Sequence, residues 1–287
     1  IVKAFGTIAL EKRIVIEDLN DEGFQENNKA VYLAKYHVSE TGIANRMRAL
    51  IKVQKSIRQI DEDQAVDWVQ EKLSIKLAER QIEAMKRAAQ SKVMVITGGP
   101  GTGKTTIINS IIKIFKAVGV KIMLAAPTGR AAKRMSEATG HEAKTIHRML
   151  EFSPRNGAFK KNVEEPLDCD LLIVDEASMI DTILMHHLLK AVPQTATLIL
   201  VGDVNQLPSV GAGNVLNDII ACGAIPVVEL NEIFRQAQES SIIVNAHKIN
   251  AGILPSLKSS PGKLDDFYFI EKEDPADVLK LILELVK

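Results

Sequence analysis

Cysteine is nearly absent: Cys169 and Cys222 are the only two in 287 residues. Neither belongs to a Cys-x-x-Cys pair, and no histidine cluster lies near them. That argues against structural zinc and a disulfide framework, and for a reducing compartment. Net charge is also absent, since 36 Lys and Arg balance 36 Asp and Glu. The average surface therefore gives no sign of a polyanionic partner, and any basic footprint must be local. No apolar run approaches the roughly 20 residues of a membrane span, so no membrane partner is expected. The chain opens Ile-Val-Lys-Ala-Phe, with neither Met nor a signal-peptide pattern. An internal piece of a longer cytoplasmic protein is expected. What remains is an ordinary globular composition, 46% hydrophobic and 25% charged, long enough for two domains and a large core.

Residues 1 to 55 read as a small accessory module. "KRIVIEDL" (12 to 19) and "KAVYLAKYHV" (29 to 38) suggest two strands, and "SETGIANRMRALIKVQ" (39 to 54) a helix with Ile43, Met47, Leu50 and Ile51 on one face. This order resembles a winged-helix fragment; a generic α/β piece fits equally well. Residues 56 to 90 are charged and helical. Five apolar runs then recur: "KVMVIT" (92 to 97), "KIMLAA" (121 to 126), "DLLIVD" (170 to 175), "TLILVG" (197 to 202) and "VVEL" (227 to 230). Continuous apolar strands alternating with helices imply an α/β fold, a parallel sheet with helices on both faces. Ligands bind such sheets at the carboxyl ends of the strands. Residues 56 to 255 would form this domain. "SLKSSPGKLDD" (256 to 266) reads as a boundary, "FYFIE" as a strand and "DPADVLKLILELVK" as a helix capped by Asp274. Residues 256 to 287 would open a second domain.

The residues just after each run carry chemistry. "GGPGTGKTT" comprises Gly98, Gly99, Pro100, Gly101, Thr102, Gly103, Lys104, Thr105 and Thr106, and fits G-x-x-x-x-G-K-[ST]. Its glycines let backbone N–H groups face phosphate oxygens, and the following helix adds its positive end. Lys104 should reach the β- and γ-phosphates of ATP, and the Thr105 hydroxyl should ligate Mg²⁺. Asp175-Glu176 after the third run is by itself an ordinary strand end. Behind a P-loop in the same sheet, Asp175 suits a Mg²⁺-holding role and Glu176 a base that deprotonates the attacking water. "GDVNQLPS" (202 to 209) ends a buried strand in Gly-Asp and adds Gln206. That amide could touch the γ-phosphate and distinguish ATP from ADP, while Asp203 fixes the loop. Arg235 in "LNEIFRQ" is a candidate arginine finger, with a plain surface arginine as the alternative.

The basic footprint lies between 125 and 150, where Arg130, Lys133, Arg134, Lys144 and Arg148 outnumber Glu137 and Glu142. Pro127, Thr128, Thr145 and His147 share this stretch, and the Thr and His side chains could bond phosphates. Few aromatics accompany it, so base stacking is not evident. A solvated helix face remains the alternative.

Gln81 in "LAERQ", the P-loop, "APTGRAAKRM", "TIHRML", "VDEASMID", "GDVNQLPSVGAG" and "LNEIFRQ" follow the order of superfamily 1 DNA helicase motifs. The wording resembles the RecD-like branch, the exodeoxyribonuclease V alpha subunit family, over about residues 30 to 287. The resemblance implies a RecA-like first motor domain, coupling ATP hydrolysis to 5′-to-3′ movement along single-stranded DNA and to duplex unwinding in repair or recombination. It assigns Gln81 to the adenine, Gln206 and Arg235 to the γ-phosphate, and Thr128 and His147 to DNA. It implies a small hairpin insertion at 152 to 170, for which Asn156-Gly157 supplies a turn; a surface loop is the alternative. Nuclease or repair-complex subunits become possible partners. The motifs of a second motor domain are missing, so weak hydrolysis by this stretch alone is expected. Two other functions remain open: a superfamily 1 RNA helicase, and an ATP-gated nucleic-acid-binding subunit.

Overall fold

The computed structural model describes residues 11 to 18, 29 to 234, 239 to 257 and 265 to 286. In chain order the elements are β1 (Ile14–Asp18), β2 (Lys29–Leu33), α1 (Ala34–Lys52), α2 (Glu62–Leu73), α3 (Glu79–Gln90) and β3 (Val93–Gly98). Then come α4 (Lys104–Ala117), β4 (Ile122–Ala126), α5 (Gly129–Thr139), β5 (Ala143–Thr145), α6 (Ile146–Met149), β6 (Phe152–Ser153) and β7 (Ala158–Phe159). They are followed by β8 (Leu171–Val174), α7 (Thr182–Ala191), β9 (Thr197–Gly202), α8 (Val215–Ala221), β10 (Val227–Leu230), α9 (Ser241–Asn250) and α10 (Pro275–Leu285).

All five apolar runs are strands of one parallel sheet, ordered β10-β3-β9-β8-β4-β5. The period of two divides its side chains between two cores. Val93, Val95, Leu172, Val174, Leu198 and Leu200 face α1, α7 and α8. Met94, Ile96, Leu171, Ile173, Ile199 and Val201 face α2, α3 and α4. Both faces are thus covered, which is why these strands read as unbroken apolar runs rather than as alternating ones. The chain leaves β3, crosses to β4, and returns to lay β8 and β9 between them. The ends of β3, β9, β8 and β4 are therefore neighbours along one rim, with Thr97 opposite Gly202, Val174 opposite Leu200 and Ala125 opposite Val174.

Two local expectations change. The second strand stops at Leu33 instead of running to Val38, because the helical period that buries Ser39, Ile43, Met47 and Leu50 extends back to Ala34; the Ser39 hydroxyl donates to the Lys35 carbonyl at 2.8 Å. "FYFIE" is not a strand: among the described residues no strand pairs with it, and Tyr268, Phe269 and Ile270 are exposed. The 152 to 170 stretch does hold a hairpin, β6 against β7, but only two residues per strand. Its turn has Gly157 at φ 63°, and Asn156 Oδ1 accepts from the Ala158 N–H at 3.2 Å.

The chain divides into two compact units, residues 1–99 with 103–232, and 100–102 with 233–287. The first holds the sheet and α1, whose Ile43, Met47 and Leu50 belong to the same core as Met185 and Leu188 of α7. In the second, Asn245 of α9 is tied to Ser256 in both directions, at 3.1 and 2.8 Å. There α10 starts as its sequence suggests, with the Asp274 carboxylate accepting from the Ala276 N–H at 2.8 Å. Among the described residues no helix is long and apolar enough to cross a membrane.

Candidate active site and nucleic-acid cleft

The rim of the sheet gathers the residues singled out above. After β3, the loop turns through Gly101 and Gly103 at φ 75° and 82°, backbone angles that a side chain would strain. α4 then starts at Lys104. Lys104 Nζ lies over this loop, donating to the carbonyls of Gly98 at 2.6 Å and Gly99 at 3.0 Å. Burial lowers its pKa from the ordinary lysine value, while the Asp203, Glu176 and Asp175 carboxylates pull the other way. Three carboxylates from two strand ends thus act on one lysine at the start of a helix. Thr105 and Thr106 are exposed at the start of α4, whereas Thr102 is buried.

At the end of β8, Asp175 is buried, and burial raises its carboxyl pKa. Its Oδ1 accepts from the Glu176 N–H at 2.9 Å, which partly offsets the shift. Glu176 follows in a left-handed conformation, φ 52° and ψ 40°, and a single 3₁₀ turn (Ala177–Met179) begins behind it. Glu176 is 9% exposed. Its Oε1 accepts from Arg134 Nη2 on α5, and its Oε2 is buried without a hydrogen-bond partner among the described residues.

Gly-Asp at the end of β9 now has a physical reason. A Cβ on Gly202 would stand 2.7 Å from Leu216 Cδ2 and 3.1 and 3.3 Å from the Ser178 and Ala177 nitrogens. Only glycine lets β9 lie against the turn that carries Glu176. Asp203, 2% exposed, accepts from the Asn205 N–H at 3.0 Å through its carboxylate, and its carbonyl accepts from the Gln206 N–H at 3.2 Å. It folds the loop, as expected, and leaves Gln206 exposed.

Thr128, Arg130, Ala131, Lys133, Arg134, Glu137, Glu176, Met179 and Gln206 line one open cleft of about 720 Å³. Catalytic candidates and basic-footprint residues thus share a surface. Thr128 and Thr145 cap α5 and α6, their hydroxyl oxygens accepting from Ala131 N–H at 3.2 Å and Arg148 N–H at 3.1 Å. Their own hydroxyl hydrogens remain as donors. Pro127 is half-buried, and Arg130, His147 and Arg148 are exposed. Gln81 is 2% exposed on α3, and its Oε1 accepts from the Ala78 N–H at 3.1 Å at the start of that helix. Arg235 lies outside the described residues.

Two features escaped the sequence. One is the Arg134–Glu176 pair, which depends on β4 and β8 being neighbours. The other is an aromatic cluster: His147 packs edge-on against Phe152 at 5.5 Å and beside Phe159 at 5.6 Å, and Phe159 meets His187 at 4.6 Å. Phe152 and Phe159 face each other across the hairpin register. Their opposition could have been foreseen from the Asn156-Gly157 turn; their contact with His147 could not.

The donor set suits a nucleotide with its cation. The loop glycines give a concave backbone, Lys104 is held over it by carbonyls alone among the hydrogen bonds described, and Thr105 and Asp175 supply hard oxygens. Among the described residues no group of three or more His, Cys, Asp or Glu could hold a metal by itself. Mg²⁺ takes one or two protein oxygens and completes its shell with substrate phosphate and water, so Thr105 and Asp175 are donors enough for it.

Residues 81–212 match the family model described as an AAA domain. The chain is 38% identical over 227 residues to the ATP-dependent RecD2 DNA helicase of Deinococcus radiodurans, covering 79% of this chain and 31% of that protein. It is 33% identical over 234 residues to the RecBCD enzyme subunit RecD of Mycobacterium tuberculosis, covering 71% of this chain and 40% of that one. The chain therefore spans about a third of the length of these curated relatives. The crystal structure of a Pif1 helicase from Candida albicans aligns with 66% of this chain and 50% of that chain, at 25% identity and a TM-score of 0.48.

Proposed function

For a chain homologous to the RecD and RecD2 helicases, we propose the role of an ATP-driven motor domain that moves along single-stranded DNA and separates duplex strands in repair or recombination. The observation that carries this is the shared cleft. Glu176 and Gln206 open onto the same surface as Thr128, Arg130, Lys133 and Arg134. A site that only hydrolysed nucleotide would not need a basic track at the mouth of its base.

In this reading the P-loop backbone and Lys104 hold the β- and γ-phosphates, and Gln81 serves the adenine. Thr105 and Asp175 hold Mg²⁺, which when bound neutralises charge on the phosphate oxygens. Glu176 takes a proton from water. The water oxygen bonds to the γ-phosphorus as the bond to the β–γ bridging oxygen breaks, its electron pair leaving with ADP. Gln206 senses the γ-phosphate, and Arg235 is proposed to meet the charge developing on it. Arg130, Lys133, Arg148, Thr145 and His147 grip the DNA backbone. Residues 1–55 would form the accessory module, 56–255 the motor and 256–287 the opening of a second motor domain.

The test is strand displacement by the full-length protein, with ATP and Mg²⁺, on duplexes bearing a 5′ or a 3′ single-stranded tail. Displacement from the 5′ tail alone is expected. Displacement from neither tail, under conditions where ATP is hydrolysed, would reject the motor.

A further inference from the structure

The Arg134–Glu176 contact is unusual for a general base. A carboxylate that is to take a proton from water needs a lone pair that water can reach. Here Oε1 is engaged by the guanidinium, and Oε2 is sealed from solvent with no hydrogen-bond partner among the described residues. In this arrangement the one oxygen left for water is also the one that holds the guanidinium. Arg134 differs from its partner in one respect: its side chain is 65% exposed, while that of Glu176 is 11% exposed. It stands in the second turn of α5, in the cleft shared with Thr128, Arg130 and Lys133. A guanidinium has five N–H donors in a planar fork, and a phosphodiester matches that fork as well as a carboxylate does.

We propose that Arg134 is a positioning residue that clamps Glu176 while the cleft is empty and releases it when a phosphodiester of a single strand draws the guanidinium away. The proposal rests on Glu176 being the base. It supplies what a motor needs and the P-loop cannot: slow hydrolysis off the track and fast hydrolysis on it. The geometry supports the exchange. Arg134 has little burial to lose when it turns to the strand. The other cations of the cleft, Arg130 and Lys133, are exposed as well, and among the described residues Lys133 has an exposed pair with Glu137 at 3.8 Å to give up. One phosphate backbone could engage all three.

The test uses the full-length protein, phosphate release at saturating ATP, and an oligothymidylate as the strand. In Arg134→Ala the basal kcat without DNA should rise roughly three- to tenfold, the scale of one exposed ion pair or charge-assisted hydrogen bond. The KM for ATP should not move, and stimulation by oligothymidylate should shrink by the same factor. Arg134→Lys should restore part of the low basal rate. An unchanged basal rate with full stimulation would overturn the clamp. So would a fall in kcat with a raised KM, which would make Arg134 a nucleotide contact. Glu176→Gln separates the clamp from its premise. The double variant Arg134→Ala, Glu176→Gln should lose the gained activity. If it kept that activity, the base assignment itself would fall; if Arg134→Ala alone changed nothing while Glu176→Gln was inactive, only the clamp would.

Discussion

Replacing Glu176 by Gln isolates the chemistry from the fold. The amide has the same heavy-atom shape, and its oxygen can still accept from Arg134. The stability cost is therefore that of turning an ion pair, exposed on the Arg134 side and buried on the Glu176 side, into a guanidinium–amide hydrogen bond, about 1 kcal/mol. In a chain of this size that lowers Tm by about 2–4 °C. The kinetic cost is larger. A positioned general base contributes about 10²- to 10⁴-fold, or roughly 3–5 kcal/mol of barrier. The two effects differ severalfold, so one preparation reads both. Phosphate release at saturating ATP and DNA should fall by at least about a hundredfold, while nucleotide and DNA affinities stay near wild type. Turnover within about threefold of wild type, at unchanged ATP affinity, would show that Glu176 is not the base; that margin is small against the 10²-fold floor.

Other residues give sharper single tests. Lys104→Ala should weaken ATP binding about ten- to hundredfold, the range of a hydrogen bond to a charged group; a fluorescent-nucleotide titration showing equal affinity would remove the P-loop assignment. Gly202→Ala places a Cβ 2.7 Å from Leu216 and near two backbone nitrogens, so urea denaturation should show a loss of about 1–3 kcal/mol; a change below about 0.5 kcal/mol, the scale of a neutral surface change, would mean that the turn behind Glu176 shifts freely. Burial, with the Asp170 and Asp168 charges beside it, pushes the Cys169 thiol up to about 12, whereas Cys222 is exposed. A thiol-reagent titration at neutral pH should find one fast-reacting thiol in the native protein and the second only on unfolding.

The sheet was legible because its strands are buried on both faces. "KVMVIT", "DLLIVD" and "TLILVG" carry no polar alternation, and that pattern has few other uses. The chemistry at the strand ends was legible for a related reason: a parallel sheet aligns its carboxyl ends, so Lys104, Asp175 and Gly202 could be placed on one rim before any coordinates. Strand order was not legible. Nothing in the residues says that β8 and β9 return between β3 and β4, and so nothing announced that Arg134 would meet Glu176. Local pattern also misled where two periods overlapped. "KAVYLAKYHV" alternates like a strand, yet from Ala34 the four-residue spacing of the helix prevails because it buries Ser39, Ile43 and Met47. "FYFIE" has strand composition and, among the described residues, no edge to pair with.

The central claim is that ATP hydrolysis here is tied to a DNA track. The most direct measurement is the ATP turnover of the full-length protein alone, with single-stranded DNA, and with single-stranded RNA of the same length. The account predicts strong stimulation by DNA and little by RNA. Equal stimulation by RNA, or none by either, would contradict the track while leaving the nucleotide site in place.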